Sequence, residues 1–198
     1  MRRGLISVAI FIGFVAIYTI SRHEATPTTT TTTTTTSSSP TSTSTTSTTL
    51  ASAACQATDF SGVYNEGQGA AGTIYASVTL TKTTAGACTL NGWPLITLSD
   101  RLGAVLKSRA IDVPSASSGF QFITPPKANA APATVTLSQS STTTFSLAYS
   151  DVQSGTTACE SAVTLSVQFV AQGAAVAVTP QYAVQPCDDG QMWLSPFY

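Results

Sequence analysis

Nine consecutive threonines, Thr28 to Thr36, lie inside a tract from Ala25 to Ala54 that is almost wholly Thr and Ser, interrupted by Pro27 and Pro40. With almost no apolar side chains to bury, such a tract cannot offset the entropy of ordering and stays extended and solvated. It therefore splits the chain into an apolar segment before it and one candidate globular region after it, Cys55 to Tyr198. At no more than about 3.6 Å per residue its reach is at most on the order of 100 Å. The composition suits an O-glycosylated stalk or an unmodified flexible spacer, and in either form it holds the region that follows away from the segment that precedes it.

That preceding segment reads as an export signal. Arg2 and Arg3 stand before an apolar run from Leu5 to Ile20, and Arg22, His23 and Glu24 follow it. A helix over Gly4 to Ser21 would be about 27 Å long, close to the roughly 30 Å hydrocarbon core of a bilayer. Ile20-Ser21-Arg22-His23 offers no small-x-small cleavage site, so residues 1–24 are expected to remain as a transmembrane signal anchor. Ala51-Ser52-Ala53, and the loosely lipoprotein-like Ser52-Ala53-Ala54-Cys55, lie far beyond the apolar run and read as the end of a linker over 25–54. The excess of positive charge before the helix puts the amino terminus in the cytoplasm, with the rest outside a single-pass anchor in the cell membrane. Arg2-Arg3-Gly4 ahead of an apolar helix also resembles a type IV prepilin signal, which would make the chain a filament subunit. No Glu occurs early in that helix to support it.

The 144 residues from Cys55 to Tyr198 are enough for a self-sufficient core. Apolar and polar residues alternate at Ile74, Ala76, Val78 and Leu80, and period two means strand. Further strand-like runs follow at 95–98, 105–107, 120–123, 135–137, 144–149, 163–170, 176–178 and 192–194. Gly, Pro, Asn and Asp separate them, and no long window carries a helical stripe, so the expected fold is an all-β sandwich. Four cysteines in an exported chain read as two disulfides with three possible connectivities; Cys55 with Cys88 and Cys159 with Cys187 is the favoured one. A four-cysteine zinc site lacks the close Cys-x2-Cys spacing.

Much chemistry is excluded by what the region lacks. The chain's sole histidine, His23, lies outside it, so no Ser-His-Asp triad, Cys-His pair or histidine metal site can form within 55–198. No Ser-x-x-Lys precedes Lys82, Lys107 or Lys127. Gly67-Gln68-Gly69-Ala70-Ala71-Gly72 matches a phosphate-loop pattern in letters, but a strand follows where a helix is required, and the glycines read as a loop entering the strand at Ile74. Five basic residues against eight acidic ones give the region a net charge of −3, and Arg101, Lys107 and Arg109 read as a solvated face, so nucleic acid is not an expected partner.

Carboxylates and aromatics are the remaining resources. Asp59, Glu66, Asp100, Asp112, Asp151, Glu160, Asp188 and Asp189 could supply a glycosidase pair, although nothing in their spacing requires one. Asp188-Asp189-Gly190 reads as a turn between strands rather than a calcium loop. Trp93, Trp193, Tyr64, Tyr75, Tyr149, Tyr182, Phe197 and Tyr198 could face a ligand, with most of them expected in the core and Trp93 at the start of a strand. No catalytic residue, cofactor or metal ligand is assigned.

The run Gly69-Ala70-Ala71-Gly72-Thr73, then Leu80, Cys88, Leu90, Gly92-Trp93-Pro94, Leu98, Asp100 and Gly103, resembles the first half of the domain of unknown function 4232 family of secreted and lipid-anchored actinobacterial proteins. Leu137, Phe145 to Val152, Cys159, Cys187 and Trp193-Leu194-Ser195-Pro196 resemble its second half. The chain departs from that pattern with Lys82-Thr83 where an Asn often ends the first strand, and with Ser140-Ser141 where a Pro-Gly turn is usual. The resemblance implies an immunoglobulin-like sandwich of about seven to nine strands, four paired cysteines and a surface location, and it transfers no catalytic residues. The functional expectation is a non-enzymatic surface module that binds a cell-wall glycan, an envelope protein or an external partner. A pilin-like subunit and an acidic-residue glycan hydrolase are the alternatives.

Overall fold

The computed structural model describes residues 52–155 and 157–198. The expected signal anchor and nearly all of the Thr/Ser tract lie outside the described residues. Among those residues no helix is long and apolar enough to cross a membrane. The strands in chain order are β1 (Ala53–Ala54), β2 (Phe60–Ala70), β3 (Thr73–Lys82), β4 (Cys88–Leu90), β5 (Leu95–Ser99), β6 (Arg109–Asp112), β7 (Val135–Leu137), β8 (Thr142–Ser150), β9 (Thr164–Gln168), β10 (Ala175–Val178) and β11 (Gln191–Leu194). They form a five-stranded sheet in the order β2-β3-β8-β11-β6 and two three-stranded sheets, β10-β9-β5 and β1-β4-β7. The domain is therefore all-β, and its ladder starts at Ala53, two residues before the expected boundary at Cys55.

Alternation in the sequence decides which face each residue takes. On β3, Ala76, Val78 and Leu80 are buried, while Tyr75, Ser77 and Thr79 point to the opposite face. Their neighbours on β8 do the same, with Phe145, Leu147 and Tyr149 inward. Leu98, Leu165, Val167, Val176 and Val178 of the β10-β9-β5 sheet complete the same core, as do Leu90 and Leu137 of the third sheet. Each fully buried Leu, Val or Phe contributes roughly 1.5–3 kcal/mol relative to exposure. The β2 and β10 strands approach closely at Gly62, where a Cβ would lie 2.5 Å from Val178 Cγ2.

The disulfides join Cys55 to Cys88 and Cys159 to Cys187, the favoured connectivity. The first ties the start of the domain to β4, beside the parallel β1–β4 pairing. The second joins the loop before β9 to the turn that leads into β11. That turn is Asp188-Asp189-Gly190, and all three residues have positive φ.

Four expectations need correction. Residues 120–123 form no strand: the Asn129 side chain takes up both the N–H and the C=O of Phe122, at 2.7 Å each, the two groups a ladder would have used. Residues 105–107 supply a single bridge, Ser99 to Val105, because the Asp100 carboxylate caps Leu102 N and Ala104 N at 2.8 Å and closes a tight turn. Gly67 to Ala70 is not a loop but the end of β2, and Ala71-Gly72 alone makes a two-residue hairpin turn, with φ of 51° and 80°. The strands number eleven among the described residues, because short segments such as β1, β4 and β6 pair on neighbours that local patterning does not reveal.

The two departures from the family pattern lie against one another. Lys82 N donates to Ser141 O at 2.9 Å, and Ser140 N donates to Lys82 O at 2.8 Å, with Ser140 at φ 67°. The buried Lys82 ammonium is held by Thr84 Oγ1 at 2.6 Å and Thr84 O at 3.2 Å, with Asp59 3.9 Å away.

Candidate functional site

A groove of about 460 Å³ lies on the outer face of the five-stranded sheet, and a backbone irregularity in β2 builds it. Pairing runs regularly to Asn65 opposite Ser77 and resumes at Gln68 opposite Tyr75, so β2 holds one residue more than β3 across this stretch. In an unbroken strand, residues three apart point to opposite faces. The bulge brings Asn65 and Gln68 onto the same face, where both line the groove, and leaves Glu66 and Gly67 opposite the inward-facing Ala76. Gly67 makes the bulge possible: a Cβ there would overlap the Tyr75 carbonyl oxygen and lie 2.8 Å from the Tyr75 carbonyl carbon.

The floor is a row of neutral polar groups crossing three strands. Asn65 Nδ2 donates to Ser77 Oγ at 3.1 Å and to Thr79 Oγ1 at 3.0 Å. Thr79 Oγ1 lies 3.3 Å from Thr144 Oγ1 on β8. Ser146 Oγ, also on β8, lies 2.7 Å from the Tyr198 hydroxyl. Tyr198 reaches this position because residues after β11 keep pairing with β8, through Tyr198 N to Thr144 O and Thr144 N to Tyr198 O. Burial pushes the Tyr198 hydroxyl above its ordinary range, and the Ser146 hydrogen bond partly offsets that.

The walls are aromatic. Tyr75 and Tyr198 line the groove from the sheet side, and Phe122, Thr124 and Pro125 line it from the segment between β6 and β7. That segment lies as a strap over the outer face and covers Ala148 with Val113, Phe122 and Ala128. Phe120 stacks between Tyr75, at 6.0 Å between ring centroids, and Trp193, at 4.4 Å. Under this stack the buried Trp193 Nε1 has no hydrogen-bond partner among the described residues.

The aromatics named from the sequence divide into groups. Tyr64, Tyr149 and Phe197 belong to the core; Tyr75 and Tyr198 line the groove; Trp193 stacks beneath the strap; Tyr182 is 67% exposed. Trp93 is half-buried and donates from Nε1 to Val113 O at 3.0 Å, which fastens the start of the strap. Phe120 and Phe122 were not among the ligand-binding candidates. Their signal was Asn129 with the prolines around it, which marks a braced loop rather than a strand.

Of the acidic residues only Glu66 borders the groove, and its carboxylate is turned away from it. Its Oε1 accepts from Gln181 N at 2.7 Å and from Tyr182 N at 3.3 Å. Asp59 faces Lys82, Asp100 caps its turn, Asp188 accepts from Ser154, and Asp189 pairs with Lys107 at 3.1 Å. Glu160 and Asp189 both border a second cavity, but its volume is about 30 Å³. Asp112 is held above its ordinary value by burial. No group of three or more His, Cys, Asp or Glu side chains converges on a metal-sized site among the described residues. The groove offers hydrogen-bond donors and acceptors and aromatic faces.

The model of the family described as "Domain of unknown function (DUF4232)" matches residues 55–198. Neither the curated proteins nor the solved structures contain a match to the chain. The family match spans most of the chain, and the chain belongs to the DUF4232 family.

Proposed function

We propose that this DUF4232 member is a non-catalytic display module: an immunoglobulin-like sandwich held outside the cell on the 25–54 stalk and the 1–24 anchor, binding glycan in its outer-face groove. The bulge-built groove carries this reading. A sugar ring presents hydroxyl groups at its edge and C–H groups on its faces, and the amide and hydroxyl floor under aromatic walls complements both. The volume of about 460 Å³ lies within the range of roughly 300–1,000 Å³ usual for ligand sites. Two disulfides support an oxidising compartment, in keeping with the export signal read from Arg2 to Ile20.

The test is binding of the full chain, kept in mild detergent, to purified cell-wall glycan and to soluble oligosaccharides. Saturable binding that weakens at least tenfold in Asn65→Ala supports the reading. Binding no better than that of an unrelated membrane-anchored protein, or binding indifferent to Asn65→Ala, removes it.

A further inference from the structure

We infer, resting on the glycan reading above, that the groove continues beneath the strap as a second sugar subsite between Tyr75 and Trp193, and that Phe120 is the plug a bound glycan displaces. Tyr75 on β3 and Trp193 on β11 both stand opposite Ala148 on β8, so the three form one cross-strand row on the outer face. Ala148 is fully buried and carries only a methyl group. It leaves a slot between the two aromatic side chains, which stand on strands roughly 9.5 Å apart. Phe120 fills that slot, inclined 24° to Tyr75 and 10° to Trp193. The core pairs Phe60 with Phe169, Phe145 with Phe197 and Phe169 with Phe197 meet edge-on, at 87° to 89°. Aromatic faces on both sides of a slot suit the C–H faces of a sugar ring. Tyr75 also lines the groove, so the slot adjoins it.

Two observations mark Phe120 as removable. Among the described residues, 114–121 make hydrogen bonds only within that stretch, from Ser118 to Ser115 O and between Ser118 and Phe120. The strap is fastened on either side of it, by Val113 to Leu194 O and to Trp93, and by Asn129 to Phe122. The second observation is Trp193 Nε1, buried without a partner. An unmet buried donor is costly, and lifting the strap relieves it by opening the indole edge to water or to a hydroxyl of the next sugar. The ligand class is therefore a glycan of several residues, with one ring stacked between Tyr75 and Trp193 and its neighbours on the floor of Asn65, Ser77 and Thr79.

The experiment follows the Trp193 indole N–H by NMR in the full chain in detergent, with a disaccharide and a hexasaccharide released from the same cell-wall glycan as probes. Trp93 carries the chain's other indole, and Trp93→Phe identifies its signal. Saturating hexasaccharide should move the Trp193 signal. Phe120→Ala should bind the hexasaccharide about tenfold more tightly, on the order of one aromatic stacking energy. The disaccharide, which the open groove holds without displacing the plug, should change by less than about twofold. An unmoved Trp193 signal, or a folded Phe120→Ala chain that gains no affinity for the hexasaccharide, overturns the inference; binding that still depends on Asn65 then leaves the glycan reading standing. If the thermal midpoint shows that Phe120→Ala does not fold, Phe120→Leu keeps apolar bulk without the stacking faces, and a gain of about threefold is expected of it. No gain there overturns the inference as well. Binding of neither sugar overturns both.

Discussion

Replacing Gly67 by Ala should damage stability and binding together, for a reason that can be worked from the geometry. The added Cβ would overlap the Tyr75 carbonyl oxygen and stand 2.8 Å from both the Tyr75 carbonyl carbon and Ile74 Cγ2. Carbon atoms rest at about 3.5–4.0 Å, so β2 and β3 must separate by roughly 0.7 Å or more at this point. A hydrogen bond of ordinary length stretched by that amount reaches about 3.6 Å and is effectively lost. One or two broken ladder bonds at about 0.5–1.5 kcal/mol each, with some residual overpacking, put the cost at about 1–3 kcal/mol. The φ of Gly67 is not among the positive values, so the requirement is for space rather than for a left-handed backbone. Gly69→Ala is the control: its Cβ would meet only the flexible end of Ile74, at 3.2 Å. The assay is urea unfolding of both variants, followed by glycan binding under native conditions. If Gly67→Ala unfolds within about 0.5 kcal/mol of Gly69→Ala and still binds, the claim that close packing at Gly67 builds the site is refuted.

Cys88→Ser opens a loop of 33 residues and, on the chain-entropy account, should cost about 3.7 kcal/mol, read as a lowered urea midpoint without reductant. Asn129→Ala removes both bonds to the Phe122 backbone and should cost about 2–4 kcal/mol, with faster amide exchange confined largely to residues 113–130. Tyr64 is held above its ordinary value of 10.0, first by burial and then by Tyr149 beside it, so the folded state keeps a proton that the unfolded chain releases. Its contribution is therefore complete below pH 10.0 and declines as pH rises beyond it; Tyr64→Phe should flatten the alkaline arm of a stability profile, and an unchanged arm would contradict the assignment.

Much of the sheet structure was legible because period two is a strong local signal. β3 and β8 carry it over nine or more residues, and their inward positions are the ones the alternation marks. The cysteine pairing was legible as one of three options, and spatial closeness within the fold selects among them. β2 was not legible. Sequence patterning marks no strand over 60–66 and the glycines of 67–72 read as a loop, and the segment becomes a strand because β3 offers it a full ladder and Val178 leaves room only for glycine at Gly62. The groove was invisible for the same reason, since its defining feature is one extra residue in a pairing that cannot be seen until the partner is known. The strap misled in the other direction. Phe120-Gln121-Phe122-Ile123 alternates like a strand, yet both aromatics serve the outer face, and a side chain seven residues on replaces the ladder.

The most direct test of the central claim is hydrogen–deuterium exchange of the full chain with and without a saturating soluble cell-wall oligosaccharide. The account predicts added protection at residues 65–68 and 75–79 and at the strap residues around Phe122, where the groove lies. Protection confined to other surfaces, such as the turn at residues 100–105 or the exposed Tyr182 loop, or no protection at ligand concentrations that saturate binding, would contradict it.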